Sequence, residues 1–342
     1  MGKKSNNPQG ISLYSIYLST LDPNLYMITA SVVTYNHHLL DIEPVLRSLF
    51  ASPVDVVYII DHSADIMPDL EQELMEFSNR VLTGEPQLRK KVEMGFHLLY
   101  FRHENNGYGG GHNFAIRKAI TLGSTYHLVV NPDIWFGPRV IPELKRYMDL
   151  HDDVAQMMPK VLYPNGQIQR LAKLLPTPMD IFGRFCLPHF MIARRNARYE
   201  LFYSNFDMVL NVPYLSGCFM FFRLSALQSI NLFDEKLFMY AEDIDVTRRL
   251  HEKYKTLYYP LIPVYHKFSR ASHSSFRLFW IHVTNIIMYF NKWGWWKDSF
   301  RKEANKRVEE QIANGGIKEY SPLAAKKATL KPLLTKLKIK SR

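Results

Sequence analysis

Four short apolar runs alternate with helix-patterned segments between residues 27 and 135: ITASVVT at 28–34, VDVVYII at 54–60, FHLLYF at 96–101 and YHLVV at 126–130. Near-continuous Val, Ile and Leu with no polar alternate face marks strands covered on both sides. The patterns between them, at about 39–51, 68–81 and 112–122, supply the helical crossovers that parallel strands need. This alternation confines the chain to the α/β class, with a mostly parallel central sheet flanked by helices. Ligands of such sheets bind beyond the carboxyl ends of the strands. Those ends carry Tyr35-Asn36, Asp61-His62, Glu104-Asn105-Asn106 and Asn131-Pro132-Asp133.

With 342 residues, 47% of them hydrophobic, the chain can bury the core of one large domain or two smaller ones. After Pro159 the pattern lapses into a Pro-, Arg- and aromatic-rich stretch, 163–211, that reads as an insertion or mobile lobe over the site. Regular structure is expected again as a strand at 214–223, a helix over about 242–254, a strand at 257–265 and helices near 275–292 and 296–313.

Cys186 and Cys218 have no metal-site spacing and suggest no disulfide framework, so a reducing, cytoplasmic compartment is expected. The first residues lack a signal-peptide pattern, and Asn6 breaks the myristoylation motif. The longest apolar stretch, 278–290, contains His282, Thr284 and Asn285 and is shorter than the roughly 20 residues that span a bilayer. The net charge of +11 gathers toward the end: 326–342 has seven Lys or Arg and no acid, interleaved with leucines. That tail reads as an anchor to an anionic membrane surface or as a solvated end interrupted by Pro332. No nucleic-acid partner is expected, since no aromatic stacking platform accompanies the basic residues.

The segment 233–249, FDEKLFMYAEDIDVTRR, sets five carboxylates among aromatic and apolar residues. Loss of hydration there raises carboxyl pKa values toward those of a general base, which makes Glu242, Asp243 and Asp245 candidates for chemistry. The competing reading is a helix start, with acids against the dipole and Asp245 paired to Arg249. Asp133 follows a strand that Pro132 must end, and one acid so placed suits Mg²⁺ or Mn²⁺ held with substrate phosphates and water; it also suits a turn cap. Asp61 ends a buried strand, as a base-binding carboxylate or as a turn cap with Ser63 and Asp65. The stretch NNGYGGGHN at 105–113 fails the dinucleotide fingerprint, yet it offers close backbone approach and a helix N-terminus suited to a diphosphate, or simply a tight turn. His266 closes the last strand as a structural residue, a metal ligand or a diphosphate contact.

In this order the segments resemble the family 2 glycosyltransferases of GT-A fold, especially the bacterial rhamnosyltransferase-like branch that builds cell-surface polysaccharide such as O-antigen or capsule. The likeness rests on VVTYN at 32–36, the strand ending in Asp61, NNGYGGGHNFAI at 105–116, NPDI at 131–134, YLSGCFMFFRLSAL at 214–227, LFDEKLFMYAEDIDVTRRL at 232–250 and VYHKFSRAS at 264–272.

The resemblance implies a Rossmann-like nucleotide-binding half, an acceptor half and C-terminal helices. Divided accordingly, the chain has an extension at 1–26, a GT-A domain at 27–272, helices at 273–315 and a basic tail at 316–342. Within the domain, 27–135 is the nucleotide-sugar half and 160–211 the acceptor lobe. Residue by residue, the resemblance assigns Asp243 as catalytic base with Glu242 beside it. Donor contacts fall to Thr34, Tyr35, Asn36, Asp61, Asn106, Gly107, Gly110, Asn113, Asn131 and Gly217, and a divalent cation to Asp133 and His266. The family's DxD motif is reduced here to NPD, its Asp-Asn-x-Ser to DHSA, and His112 replaces a frequent asparagine.

The implied reaction is inverting transfer, best from dTDP-L-rhamnose, to a lipid-linked saccharide. The implied location is the cytoplasm, peripheral at the inner face of the plasma membrane. A UDP-hexose donor, a non-catalytic sugar-nucleotide binder and a nucleotidyltransferase are the alternatives. The intact Glu242-Asp243 pair and the absence of a Lys-bearing glycine loop near the N-terminus weigh against the last two.

Overall fold

The computed structural model describes residues 27–63, 70–84, 86, 96–183, 187–267 and 276–317. The expectations for 1–26, Asp65, Cys186, the end of VYHKFSRAS and the basic tail lie outside the described residues.

The first four strands are β1 (Ile28–Thr34), β2 (Val56–Asp61), β3 (His97–Arg102) and β4 (Tyr126–Val130). They lie in the order β3-β2-β1-β4 and pair in parallel, with Thr34 level with Asp61 and Asp61 with Arg102. Beyond β4 the sheet continues through β5 (Ile134–Phe136), β6 (Val154–Leu162), β10 (Phe219–Arg223) and β11 (Lys255–His266), in the order β4-β10-β6-β11-β5. Here the expectation of parallel strands needs qualifying. β6 and β11 are parallel, but β10 runs antiparallel to both β4 and β6, and β5 to the end of β11.

The strand expected over 214–223 is two strands, β9 (Tyr214–Leu215) and β10. β9 leaves the main sheet to pair with β7 (Ala172–Lys173), so the chain bends at Ser216-Gly217-Cys218. β8 (Leu210–Asn211) adds to the outside of β11. The ladder between β6 and β11 slips between Tyr259 and Pro263, where prolines 260 and 263 cannot donate a bond.

Helices cover both faces. In α1 (Leu39–Phe50), Ile42, Val45, Leu46 and Leu49 fall at helical spacing and are fully buried against β1, β2 and β5 residues. Each such side chain contributes about 1.5–3 kcal/mol. The same face holds α2 (Leu70–Gly84) and α4 (Val140–Asp149). The opposite face receives α3 (Gly107–Thr121), α7 (Leu224–Gln228) and α8 (Glu242–His251). Two short helices, α5 (Pro178–Phe182) and α6 (His189–Tyr199), occupy the stretch read from sequence as a lobe.

The C-terminal helices α9 (Phe276–Trp293) and α10 (Ser299–Ala313) form where expected. Ile286, Tyr289 and Phe290 of α9 pack on Leu237, Ala241 and Ile244, and so brace the acidic segment from behind.

Candidate active site

Helix α3 starts at Gly107 and not at 112, so the glycine stretch is helix and not loop. The reason lies in packing. Gly107 has φ +86°, and the space for a side chain there is taken by the backbone of Phe238. Gly109 abuts Phe233, Gly110 the side chain of Asn106, and Gly111 the ring of His62. Tyr108 N donates to Phe238 O at 2.9 Å. The first turn of α3 is therefore pressed against the acidic segment and the end of β2.

Asn113, expected at the donor, spends its amide on that same contact. Its Nδ2 donates to Phe233 O (2.9 Å) and Glu235 Oε1 (2.8 Å), while its Oδ1 accepts from Phe233 N (3.0 Å). With all three bonds made inside the fold, Asn113 is a scaffold residue.

The turn that Asn113 holds delivers Glu242 and Asp243 to the first turn of α8, both buried. Asp243 Oδ2 accepts from Gly217 N at 3.0 Å and lies 3.4 Å from the Tyr214 hydroxyl, and Oδ1 accepts from Ile244 N at 2.8 Å. The break between β9 and β10 is what turns the Gly217 amide toward it. Burial raises the Asp243 pKa, and the bonds from Gly217 and Ile244 offset only part of that. Burial raises Glu242 too, reinforced by the charge of Asp243. Two adjacent buried carboxyls thus hold their protons above the ordinary carboxylate range.

Asp245 takes the other path: fully buried, it is paired with Arg249 (2.7 Å), as the spacing suggested, and also with Lys292 (2.8 Å) and Trp293 Nε1 (2.8 Å). It ties α8 to α9. Asp234 binds Lys292 and Glu235 binds Arg117, so both are structural.

Asp133 and His266 meet across the β5–β11 edge, Oδ1 to Nε2, at 3.2 Å. His266 Nδ1 lies 2.9 Å from Gln169 Oε1, and Gln169 Nε2 donates back to His266 O at 2.8 Å. With Nδ1 donating to Gln169, Nε2 is the nitrogen turned to Asp133, where it carries a proton shared with that carboxylate or, with a metal in its place, offers its lone pair; Gln169 thus orients His266. Burial pushes the Asp133 carboxyl up, but the hydrogen bond and charge of His266 outweigh this and leave it lowered. Among the described residues no group of three or more His, Cys, Asp or Glu could hold a metal by itself. One carboxylate and one imidazole fit an Mg²⁺ or Mn²⁺ whose other ligands are phosphate oxygens and water.

At the ends of β1 and β2, Asp61 is 2% exposed. Its Oδ1 accepts from Thr34 Oγ1 (3.1 Å), Ser63 N (3.1 Å) and Ser63 Oγ (2.6 Å), and its Oδ2 from Tyr100 OH (2.7 Å). The turn cap with Ser63 is therefore formed, and a lone pair on Oδ2 remains. Burial raises Asp61, and these bonds from Ser63, Tyr100 and Thr34 more than reverse the effect. Tyr35 is half exposed, and Asn36 sits at φ 54° with its N–H donated to Ser63 Oγ at 2.8 Å. Asn106 occupies the N-cap position of α3 without a side-chain capping bond, and its buried Oδ1 has no hydrogen-bond partner among the described residues.

Tyr108 joins the parts. Its hydroxyl lies 2.6 Å from Gly217 O and 3.0 Å from Asn131 Oδ1, and Asn131 N donates to Cys218 O at 2.9 Å. Burial raises Tyr108 above the ordinary phenol, with further push from Cys218, Glu242, Asp243 and Asp133. Asn131, Asp133, His266, Gly217, Glu242 and Asp243 thus gather around one tyrosine, with Thr34 and Asp61 on the neighbouring strand ends. Tyr108, Tyr214, Gln169 and Tyr100 were not singled out from sequence. Tyr108 and Tyr214 lie inside the glycine stretch and the YLSGC motif, which point to them; Gln169 lies in the aperiodic stretch and carries no signal.

The family model "Glycosyl transferase family 2" matches residues 29–230, more than half of the chain. An N-acetylglucosaminyl-diphospho-decaprenol L-rhamnosyltransferase of Mycobacterium tuberculosis is 27% identical over 187 residues, covering 51% of this chain and 58% of that protein. The match thus spans little more than half the length of that relative. Rhamnosyltransferase WbbL of Escherichia coli K12 is 33% identical over 213 residues, covering 59% of this chain and 72% of WbbL. Among solved structures, that of GalNAc-T7 with UDP, GalNAc and Mn²⁺ superposes with a TM-score of 0.54 at 15% identity, covering 88% of this chain and 59% of that one, a likeness of fold. The chain belongs to glycosyl transferase family 2, in the branch that holds these rhamnosyltransferases.

Proposed function

We propose that the chain is an inverting glycosyltransferase that moves a sugar from a nucleoside diphosphate to a hydroxyl of a lipid-linked saccharide, with Asp243 as the base. The best-supported donor is dTDP-L-rhamnose, from the two rhamnosyltransferase relatives; a UDP-hexose is the runner-up, since fold likeness does not fix a substrate. What carries the reading is the setting of Asp243: a carboxyl with raised proton affinity, aimed by Gly217 and Tyr214, one tyrosine away from the Asp133–His266 pair.

In this reading the nucleotide lies along the strand ends, against Thr34, Tyr35, Asn36 and Asp61 Oδ2. Its diphosphate faces Asn106, Gly107 and Gly110 at the start of α3 and Asn131 at the end of β4, with Gly217 near the transferred sugar. Asp133 and His266 would hold Mg²⁺ or Mn²⁺, which neutralises charge on the departing diphosphate. Asp243 takes the proton of the acceptor hydroxyl as that oxygen bonds to the anomeric carbon and the nucleoside diphosphate leaves from the opposite side. Glu242, raised by burial and by the charge of Asp243, keeps its own proton and leaves Asp243 as the carboxylate that accepts one. A diphosphate needs no proton to leave, so one base suffices, unlike glycoside hydrolysis.

Calorimetry with a panel of UDP- and dTDP-sugars, with and without Mn²⁺, tests the donor half of the reading. Binding of at least one sugar nucleotide, tightened by Mn²⁺, is expected; no binding by any member contradicts it. The reading also implies a peripheral protein on the cytoplasmic membrane face, attached through the basic, Leu-rich stretch 326–342. Deleting that stretch should release the protein from anionic vesicles, and unchanged binding refutes the attachment.

A further inference from the structure

A cavity of about 560 Å³ opens where α10 begins, lined by Thr177, Arg198, Trp296, Lys297, Arg301 and Lys302 among others. We propose that it binds the diphosphate of the lipid-linked acceptor; this rests on the transferase reading above.

Charge points first to an anion. Four of the lining side chains are cationic, and the one lining acid, Asp298, is already consumed. Arg248 binds its carboxylate at 2.6 and 2.9 Å, and its Oδ1 also caps α10 by accepting from Arg301 N at 2.9 Å. The helix end is thus satisfied from within, and attraction for a ligand comes from the side chains. Arg301, 5% exposed, lies 3.9 Å from Asp298 and spends its guanidinium on the carbonyls of Pro176, Gly294 and Trp295, none of which neutralises it. Arg198 is paired with Glu309 at 2.7 Å. Lys297 and Lys302 have no ion pair among the described residues. Two free ammonium groups over a buried guanidinium suit a compact anion of more than one charge.

Position points to the acceptor. The wall of the cavity at Thr177 is four residues along the chain from Lys173, which pairs across β7 and β9 with Tyr214, whose hydroxyl lies 3.4 Å from Asp243. Four extended residues cover at most about 14 Å. Midway, Leu175 is fixed by Asn305, which accepts from its N at 2.8 Å and donates to its O at 2.9 Å, and Asn305 itself lines the cavity. A saccharide with its hydroxyl at Asp243 and its reducing end turned this way would bring its diphosphate to the lysines. Trp296, 70% exposed at the mouth, offers an apolar face to the first carbons of the lipid.

The test compares the full chain with its Lys297→Ala/Lys302→Ala double variant, whose exposed side chains make no hydrogen bond or ion pair among the described residues. Inorganic diphosphate, titrated by calorimetry in the absence of divalent metal, should bind the variant about tenfold more weakly. Transfer to a soluble short-chain diphosphate-linked saccharide, measured against the matching alkyl glycoside, should lose about tenfold of its preference for the diphosphate. Equal affinity of both proteins for inorganic diphosphate overturns the proposal. So does a variant that loses phosphatidylglycerol vesicles yet keeps its preference for the diphosphate acceptor, since the cavity would then serve a phospholipid headgroup. If the wild type transfers to no acceptor while the diphosphate difference persists, the transferase reading falls and the anion site stands.

Discussion

Replacing Asp243 by Asn separates chemistry from binding at the residue on which the mechanism depends. Asn keeps the shape and loses the basicity. Removing a positioned general base lowers turnover about 10²–10⁴-fold, or about 3–5 kcal/mol of barrier. The structural cost is bounded by the two amides that Asp243 serves. Gly217 N and Ile244 N each donate to a different carboxylate oxygen, at 3.0 and 2.8 Å. An Asn has one oxygen, so one amide loses its acceptor, at about 1–3 kcal/mol. Relief of the charge crowding with Glu242 offsets part of this, and the variant stays folded at assay temperature. Initial rates with donor and acceptor read the chemical effect; calorimetry with the nucleoside diphosphate reads binding, which should stay within about threefold of wild type since nothing on the Asp61 or Asp133 side is touched. Turnover within tenfold of wild type refutes the role of Asp243, and parallel loss of nucleotide binding and turnover points to misfolding.

The raised pKa values of Glu242 and Asp243 predict that kcat climbs with pH through a range above that of ordinary carboxyls; a plateau already reached near pH 4–5, about the unperturbed carboxyl value, contradicts this. The same shifts carry a stability sign. The folded state holds protons that the unfolded state releases, so the pair's contribution is fully present below the unfolded carboxyl pKa and is lost as pH rises through the folded values. Thermal melts of wild type should fall toward neutral pH relative to a Glu242→Gln variant, and parallel curves refute the coupling. Gln169→Leu removes the acceptor of His266 Nδ1 and should raise the Mn²⁺ concentration for half-maximal rate about 10–100-fold with little change in maximal rate; an unchanged metal requirement removes His266 from the metal site.

The strands of the parallel half were legible because burial on both faces writes the same apolar run whatever the helices do, and β1 and β4 appear with the bounds read from sequence. The antiparallel β10 was invisible as such. FMFFR is as apolar as a parallel strand, and its direction is set by the bend at Ser216-Gly217-Cys218, which depends on β9 pairing with β7 across the fold. The glycine stretch was misread for a related reason. Glycines disfavour a helix interior, but here the close approach of Phe233, Phe238 and His62 requires the missing side chains, and tertiary packing overrides propensity. Carboxylates at strand ends could be picked out as candidates, whereas the residues that orient them, Tyr108, Tyr214 and Gln169, are revealed only by contacts distant in sequence.

The central claim is a single displacement at the anomeric carbon driven by one base. Proton NMR of the new glycosidic linkage, made from a sugar nucleotide of known anomeric configuration, tests it most directly. The account predicts a product whose anomeric configuration is opposite to that of the donor; a product that keeps the donor's configuration contradicts it.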